Sequence, residues 1–282
     1  MSKADTIELK DVITRIPGLI KRVPKIGKAA ATLNPKRTDI SMGWLIADIA
    51  KRQPNNVAIY QDNRKVTYAE LNSQANQIAH YLLSIGVKKG EAVALSMQNR
   101  AEFLVCVTGI AKVGAVAALI NTSQTSKVLT HSINLVEPVA AIIGEEQIAS
   151  YKEVRNDLVI PKDKALFVGD WDAFDNPGKA PRGYVNLAAE MQTQPESNPI
   201  ATDSVCKSDH LFFIYTSGTT GMPKASITNH ERFLAAYGGG GIFANLNQTD
   251  ILYATLPLYQ IVPTVAAVPA LAPAIRRSCA II

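Results

Sequence analysis

Leu211-Phe-Phe-Ile-Tyr215 runs without a break into Thr216-Ser-Gly-Thr-Thr-Gly-Met-Pro-Lys224. The first five residues make a hydrophobic strand, which the two glycines and the proline of the next nine cannot continue. Gly218 and Gly221 admit backbone geometries that aim successive N–H groups at one anion. Thr216, Ser217, Thr219 and Thr220 add short hydroxyl donors, Lys224 adds a positive charge, and Pro223 stiffens the exit. A loop of this content at the carboxyl end of a strand suits a polyphosphate. It is not the G-x-x-x-x-G-K-[ST] loop, whose spacing does not fit here. An ordinary Ser/Thr/Gly turn is the plainer reading. Nine consecutive residues of this kind after an apolar strand are nevertheless a specific signal.

Upstream, strand-like and helix-like stretches alternate. Residues 44–52 read as a short helix, and 57–61 and 65–68 as a hairpin around Asp62-Asn63-Arg64. Thr67-x-x-Glu70 is a capping-box pattern, followed by apolar residues at helical spacing until Gly86. Residues 92–97, 115–120 and 139–143 read as strands, 101–113 as a helix ending at Gly114, and 127–135 as a helix. This alternation predicts an α/β fold of mostly parallel sheets flanked by helices. A first α/β subdomain is expected over 41–171, an irregular connection rich in Pro, Gly, Asn, Gln and Ser over 172–205, and a second α/β unit carrying the loop over 206–282.

The chain has 282 residues, 47% hydrophobic and 19% charged, which supplies a real core and excludes disorder, collagen and coiled coil. Residues 1–40 hold nine Lys and Arg against four Asp and Glu, an excess equal to the net charge of +5. A basic arm on a neutral body argues against a nucleic-acid-binding face. Residues 10–28 of that arm interleave apolar and basic side chains, a pattern suited to an anionic membrane surface, or to packing on the arm's own domain with Pro17 and Pro24 as breaks. Residues 251–275 carry no charge, but four prolines argue for buried strands and loops rather than a membrane span. Cys106, Cys206 and Cys279 are an odd number without metal-ligand spacing, and His80, His131, His210 and His230 are scattered, so no metal site is expected. A reduced cytoplasmic compartment fits, with peripheral contact at the inner membrane face through the arm. Gly238–Gly241 reads equally as a close backbone approach or a helix terminus.

The segment Tyr215–Lys224 resembles the phosphate-binding signature of the adenylate-forming (AMP-binding) superfamily. Val66-Thr-Tyr-Ala-Glu-Leu71, Asn99-Arg-Ala-Glu-Phe103, Lys112-Val-Gly-Ala-Val116 and Leu119-Ile-Asn-Thr122 are similar to that family in order and spacing. Asn121-Thr122, His131 and Asp250–Tyr259 resemble its long-chain branch, related to fatty acid transport proteins. The resemblance implies a fatty acid–CoA ligase that uses ATP, Mg²⁺ and coenzyme A, with Thr216, Ser217, Gly218, Thr219, Thr220, Gly221 and Lys224 on the phosphates. Tyr259 and Gln260 fall at the edge of an acyl pocket, Gln260 standing where the family usually has histidine. No catalytic residue is assigned. The likeness fades from Ile261, and the family's adenine-contacting, ribose-binding and catalytic-lysine segments have no counterpart. An N-terminal fragment inactive by itself is therefore expected. Another adenylating enzyme for amino or aryl acids, or a non-catalytic remnant, is the alternative.

Overall fold

The computed structural model describes residues 38–170, 172–216, 221–235, 251–254, 256–260 and 278–281. Residues 10–28 and their expected membrane contact, Gly238–Gly241, and Ser217, Gly218, Thr219 and Thr220 of the loop lie outside the described residues. Among the described residues no helix is long and apolar enough to cross a membrane.

Helix α1 (Met42–Arg52) opens where the Ser41 hydroxyl accepts the Trp44 N–H, satisfying a donor that the first turn leaves free. It starts two residues before the expected helix, at the Ser41 cap, and its Gly43 admits Lys112 closely: a Cβ there would lie 2.8 Å from Lys112 Cγ. Strands β1 (Val57–Gln61) and β2 (Arg64–Thr67) form the hairpin, with Asp62 at φ 48° in the turn. Thr67 then caps α2 (Tyr68–Ser84) through the reciprocal pair with Glu70, at 3.2 and 2.7 Å. Helix α3 (Ala101–Val113) ends at Gly114, whose φ of 76° favours glycine.

Strands β3 (Ala92–Ser96), β4 (Val116–Leu119), β5 (Ala140–Gly144), β6 (Ala165–Val168), β7 (Val185–Asn186), β8 (His210–Thr216) and β9 (Lys224–Asn229) form one sheet in the order β7-β6-β5-β3-β4-β8-β9. All neighbours are parallel except β8 and β9. Every residue of β3 to β6 is buried, as continuous apolar runs in a parallel sheet covered on both faces should be. Alternation along the strands assigns the faces. Val93, Leu95 and Ile142 join the core with α1, α2 and α3. Ala94, Ala141 and Ile143 join a second core with Leu129 and Ile133 of α4 (Ser126–Asn134) and Tyr151 and Val154 of α5 (Ile148–Val154).

A smaller sheet, in the order β10-β11-β1-β2, joins β10 (Ile251–Ala254) and β11 (Ser278–Ile281) to the early hairpin. Helix α3 packs on α1 and α2, on β3 and β4 of the large sheet and on β1 of the small one, which is why all thirteen of its residues are buried. Its Gly109 admits α2 closely, since a Cβ would come within 2.7 Å of Ile78 Cγ2.

Two expectations meet a different arrangement. Leu211–Tyr215, expected to open a second unit, extends the first sheet beside β4, with Ala117 opposite Phe212 and Leu119 opposite Ile214. An apolar run signals a buried strand, but not which strand it neighbours. The 172–205 connection carries β7, the helix α6 (Leu187–Met191) and a short 3-10 helix at Ile200–Ser204. Pieces this short leave no period to read.

Candidate functional site

In the large sheet the chain goes from β3 to β4, then returns to place β5, β6 and β7 on the other side of β3. The strand order thus reverses between β3 and β5, and in open α/β sheets ligands bind outside the carboxyl ends of the strands, at such a reversal. Strand β8 is the next neighbour of β4 and points the same way. The loop at its carboxyl end therefore opens on that edge.

Thr216 and Lys224 are paired across β8 and β9 and close the loop at its base. Both are exposed, so hydroxyl and ammonium are available to a ligand. Gly221 has φ 85°, a left-handed conformation that favours glycine. Helix α4 anchors both roots of the loop. The Tyr215 hydroxyl donates to the Ser132 carbonyl at 2.7 Å, and His131 Nε2 lies 3.0 Å from the Pro223 carbonyl. Burial pushes the Tyr215 phenol up, keeping it the neutral donor that this bond needs. Met222, Pro223 and Lys224 also line a cleft of about 580 Å³, together with Phe213, Ala225 and Ile227.

Tyr259 and Gln260 lie in the segment after β10. Tyr259 is half-buried against the main core, and Gln260 is exposed, its N–H donating to Pro257 at 3.0 Å. The structure holds this segment through Asn99, a residue the sequence offered only as part of a motif: Asn99 Nδ2 donates to Leu256 O at 2.9 Å and Asn99 Oδ1 accepts the Leu258 N–H at 2.7 Å. Among the histidines, His230 is fully buried and its Nδ1 accepts the Met42 N–H at 3.0 Å, so it ties the helical residues 230–235 to α1. Burial pushes its imidazole down to about 4, which leaves it a neutral acceptor. Among the described residues no three His, Cys, Asp or Glu side chains gather as a metal site.

The molecule is thus an α/β protein with a loop rooted at Thr216 and Lys224 on the carboxyl edge of a mostly parallel sheet. The family model for AMP-binding enzymes matches residues 46–274, and the chain belongs to that family. It is 30% identical over 259 residues to a medium/long-chain-fatty-acid–CoA ligase, FadD6, of Mycobacterium tuberculosis, covering 90% of this chain and 40% of that protein. It is 32% identical over 217 residues to long-chain fatty acid transport protein 1 of Rattus norvegicus, covering 75% of this chain and 32% of that protein. Among solved structures, the anthranilate CoA ligase AuaEII in complex with anthranoyl-AMP superposes with a TM-score of 0.77 at 22% identity, covering 89% of this chain and 46% of that one. The chain spans less than half the length of each, and the likeness to AuaEII concerns the fold alone.

Proposed function

We propose that this chain is the ATP- and fatty acid-binding portion of a long-chain fatty acid–CoA ligase. The observation that carries the reading is the Thr216–Lys224 loop on the carboxyl edge of the sheet, in a chain of the AMP-binding family. In the overall reaction a carboxylate oxygen attacks the α-phosphorus of ATP and the bond to pyrophosphate breaks. The thiol of coenzyme A then attacks the acyl carbonyl, and AMP leaves. The part of Thr216, Ser217, Gly218, Thr219, Thr220, Gly221 and Lys224 is to hold the β- and γ-phosphates, so that charge moving onto the leaving pyrophosphate meets fixed donors. The donor set is one of hydroxyls, backbone N–H groups and a cation. Mg²⁺ therefore enters this reading on the phosphate oxygens, where it neutralises charge. Tyr259 and Gln260 border the fatty chain.

Displacement of cis-parinaric acid, a fluorescent long-chain fatty acid, tests the acid class. Oleate is expected to displace it from the purified chain, and anthranilate and phenylalanine are not. Displacement by either of those two in place of oleate, or no uptake of the probe, contradicts the reading.

A further inference from the structure

Five consecutive residues after β3 each tie a different part of the molecule to the carboxyl edge of the sheet. The Gln98 N–H donates to Glu146 Oε1 at 2.6 Å, beyond β5. Arg100 donates to the Val168 and Gly169 carbonyls at 3.2 and 2.8 Å, at the end of β6. The Ala101 N–H donates to Gln61 Oε1 of β1 at 2.7 Å, and Glu102 pairs with Arg64 of β2. Asn99, the second of the five, grips the segment 256–260 by both ends of its amide. That two-point grip fixes position and orientation together, since the same side chain donates to Leu256 and accepts from Leu258. Leu258 is fully buried behind it, so the segment is clamped between a polar tether and the core.

We propose that Asn99 is a positioning residue: it sets the segment carrying Tyr259 and Gln260, and so one border of the acyl pocket, at a fixed offset from the phosphate loop. The proposal rests on the reading of Tyr259 as a pocket residue. The offset follows from the sheet. Only β4 lies between β3, which presents Asn99, and β8, which leads into the loop, a span of about 10 Å at two strand spacings. A fatty acid bordered by Tyr259 and a triphosphate held by Lys224 thus register against one rigid frame. In such a reaction a misplacement of ~1 Å costs about 10²-fold in rate. The chemistry of the amide is specific. An aspartate keeps the acceptor for the Leu258 N–H but turns an oxygen on the Leu256 carbonyl, and an alanine gives up both contacts.

Hydrogen–deuterium exchange and cis-parinaric acid binding on the full chain, as wild type, Asn99→Ala and Asn99→Asp, test this. In Asn99→Ala the amides of 256–260 are expected to exchange at least about tenfold faster, with those of β3 and α3 unchanged, and the fatty acid to bind about tenfold more weakly. Asn99→Asp is expected to fall between alanine and wild type in both readouts. Unchanged exchange at 256–260 in Asn99→Ala overturns the tether. Equal acceleration in β3 and α3 overturns it as well, because the effect is then a general loss of stability. Faster local exchange with unchanged fatty acid affinity overturns the positioning role. A wild type that takes up no fatty acid overturns the acyl-pocket reading instead, and exchange alone then decides the tether.

Discussion

Replacing Arg64 with methionine is expected to destabilise the fold by about 3–5 kcal/mol, the usual cost of stripping one partner from a buried ion pair. The side chain of Glu102 is fully buried in the first turn of α3, and Arg64 reaches it from β2 while also holding Asp175 at 2.9 Å. Glu102 Oε2 already lacks a hydrogen-bond partner, so the guanidinium is the main compensation for a charge taken out of water. Methionine keeps much of the apolar stem of arginine, which isolates the loss of charge from the loss of packing. The double variant Arg64→Met/Glu102→Gln is expected to recover most of the difference, because no uncompensated carboxylate remains. Urea unfolding of the two variants checks this. A single variant within about 1 kcal/mol of wild type would place the pair among those that contribute little.

Lys112 gives the second large effect, and it depends on pH. Its side chain lies inside the helical layer, with Nζ 2.9 Å from Asn198 Oδ1 and 3.5 Å from the Gly43 carbonyl, both uncharged. Burial pushes the ammonium down to about 7. Between pH 7 and the ordinary lysine value of 10.5, the folded chain holds this side chain neutral while the unfolded chain still binds the proton. The unfolded state then carries more protons, so stability rises with pH across that window. From pH 7 to pH 9 the wild type is expected to gain about 2 kcal/mol relative to Lys112→Met, at 1.36 kcal/mol per pH unit. Urea midpoints of both proteins at the two pH values measure the gap. Parallel midpoints would show that Lys112 keeps its proton in the fold.

Local signals were legible in the sequence where one residue type has one structural use. The Thr67 and Glu70 capping box and the left-handed glycine after α3 stand where the pattern put them, because each depends on neighbours within a turn. Sheet membership was not legible. β8 pairs with a strand about ninety residues earlier, and β1 with one more than two hundred residues later, and a strand's composition reports burial without naming its neighbour. At the site, the hydroxyl and glycine content of the loop was readable, and Thr216 and Lys224 do pair at its base. The parts that hold the site were not readable: His131 and Ser132 grip the loop through backbone carbonyls or offer their own, and Asn99 bonds only to backbone of the segment that it holds. A contact to backbone constrains no side chain at the far end, so it leaves no complementary residue to find.

Central to the proposed function is the grip of the loop between β8 and β9 on the phosphates of ATP. Titration of the purified 282-residue chain with ATP and Mg²⁺, as wild type and Lys224→Ala and with adenosine as the phosphate-free control, tests that grip. Loss of one charge-assisted contact is worth about 1.5–3 kcal/mol, so Lys224→Ala is expected to weaken ATP by about ten- to a hundredfold and leave adenosine unchanged. Equal ATP affinity in the two proteins would contradict it.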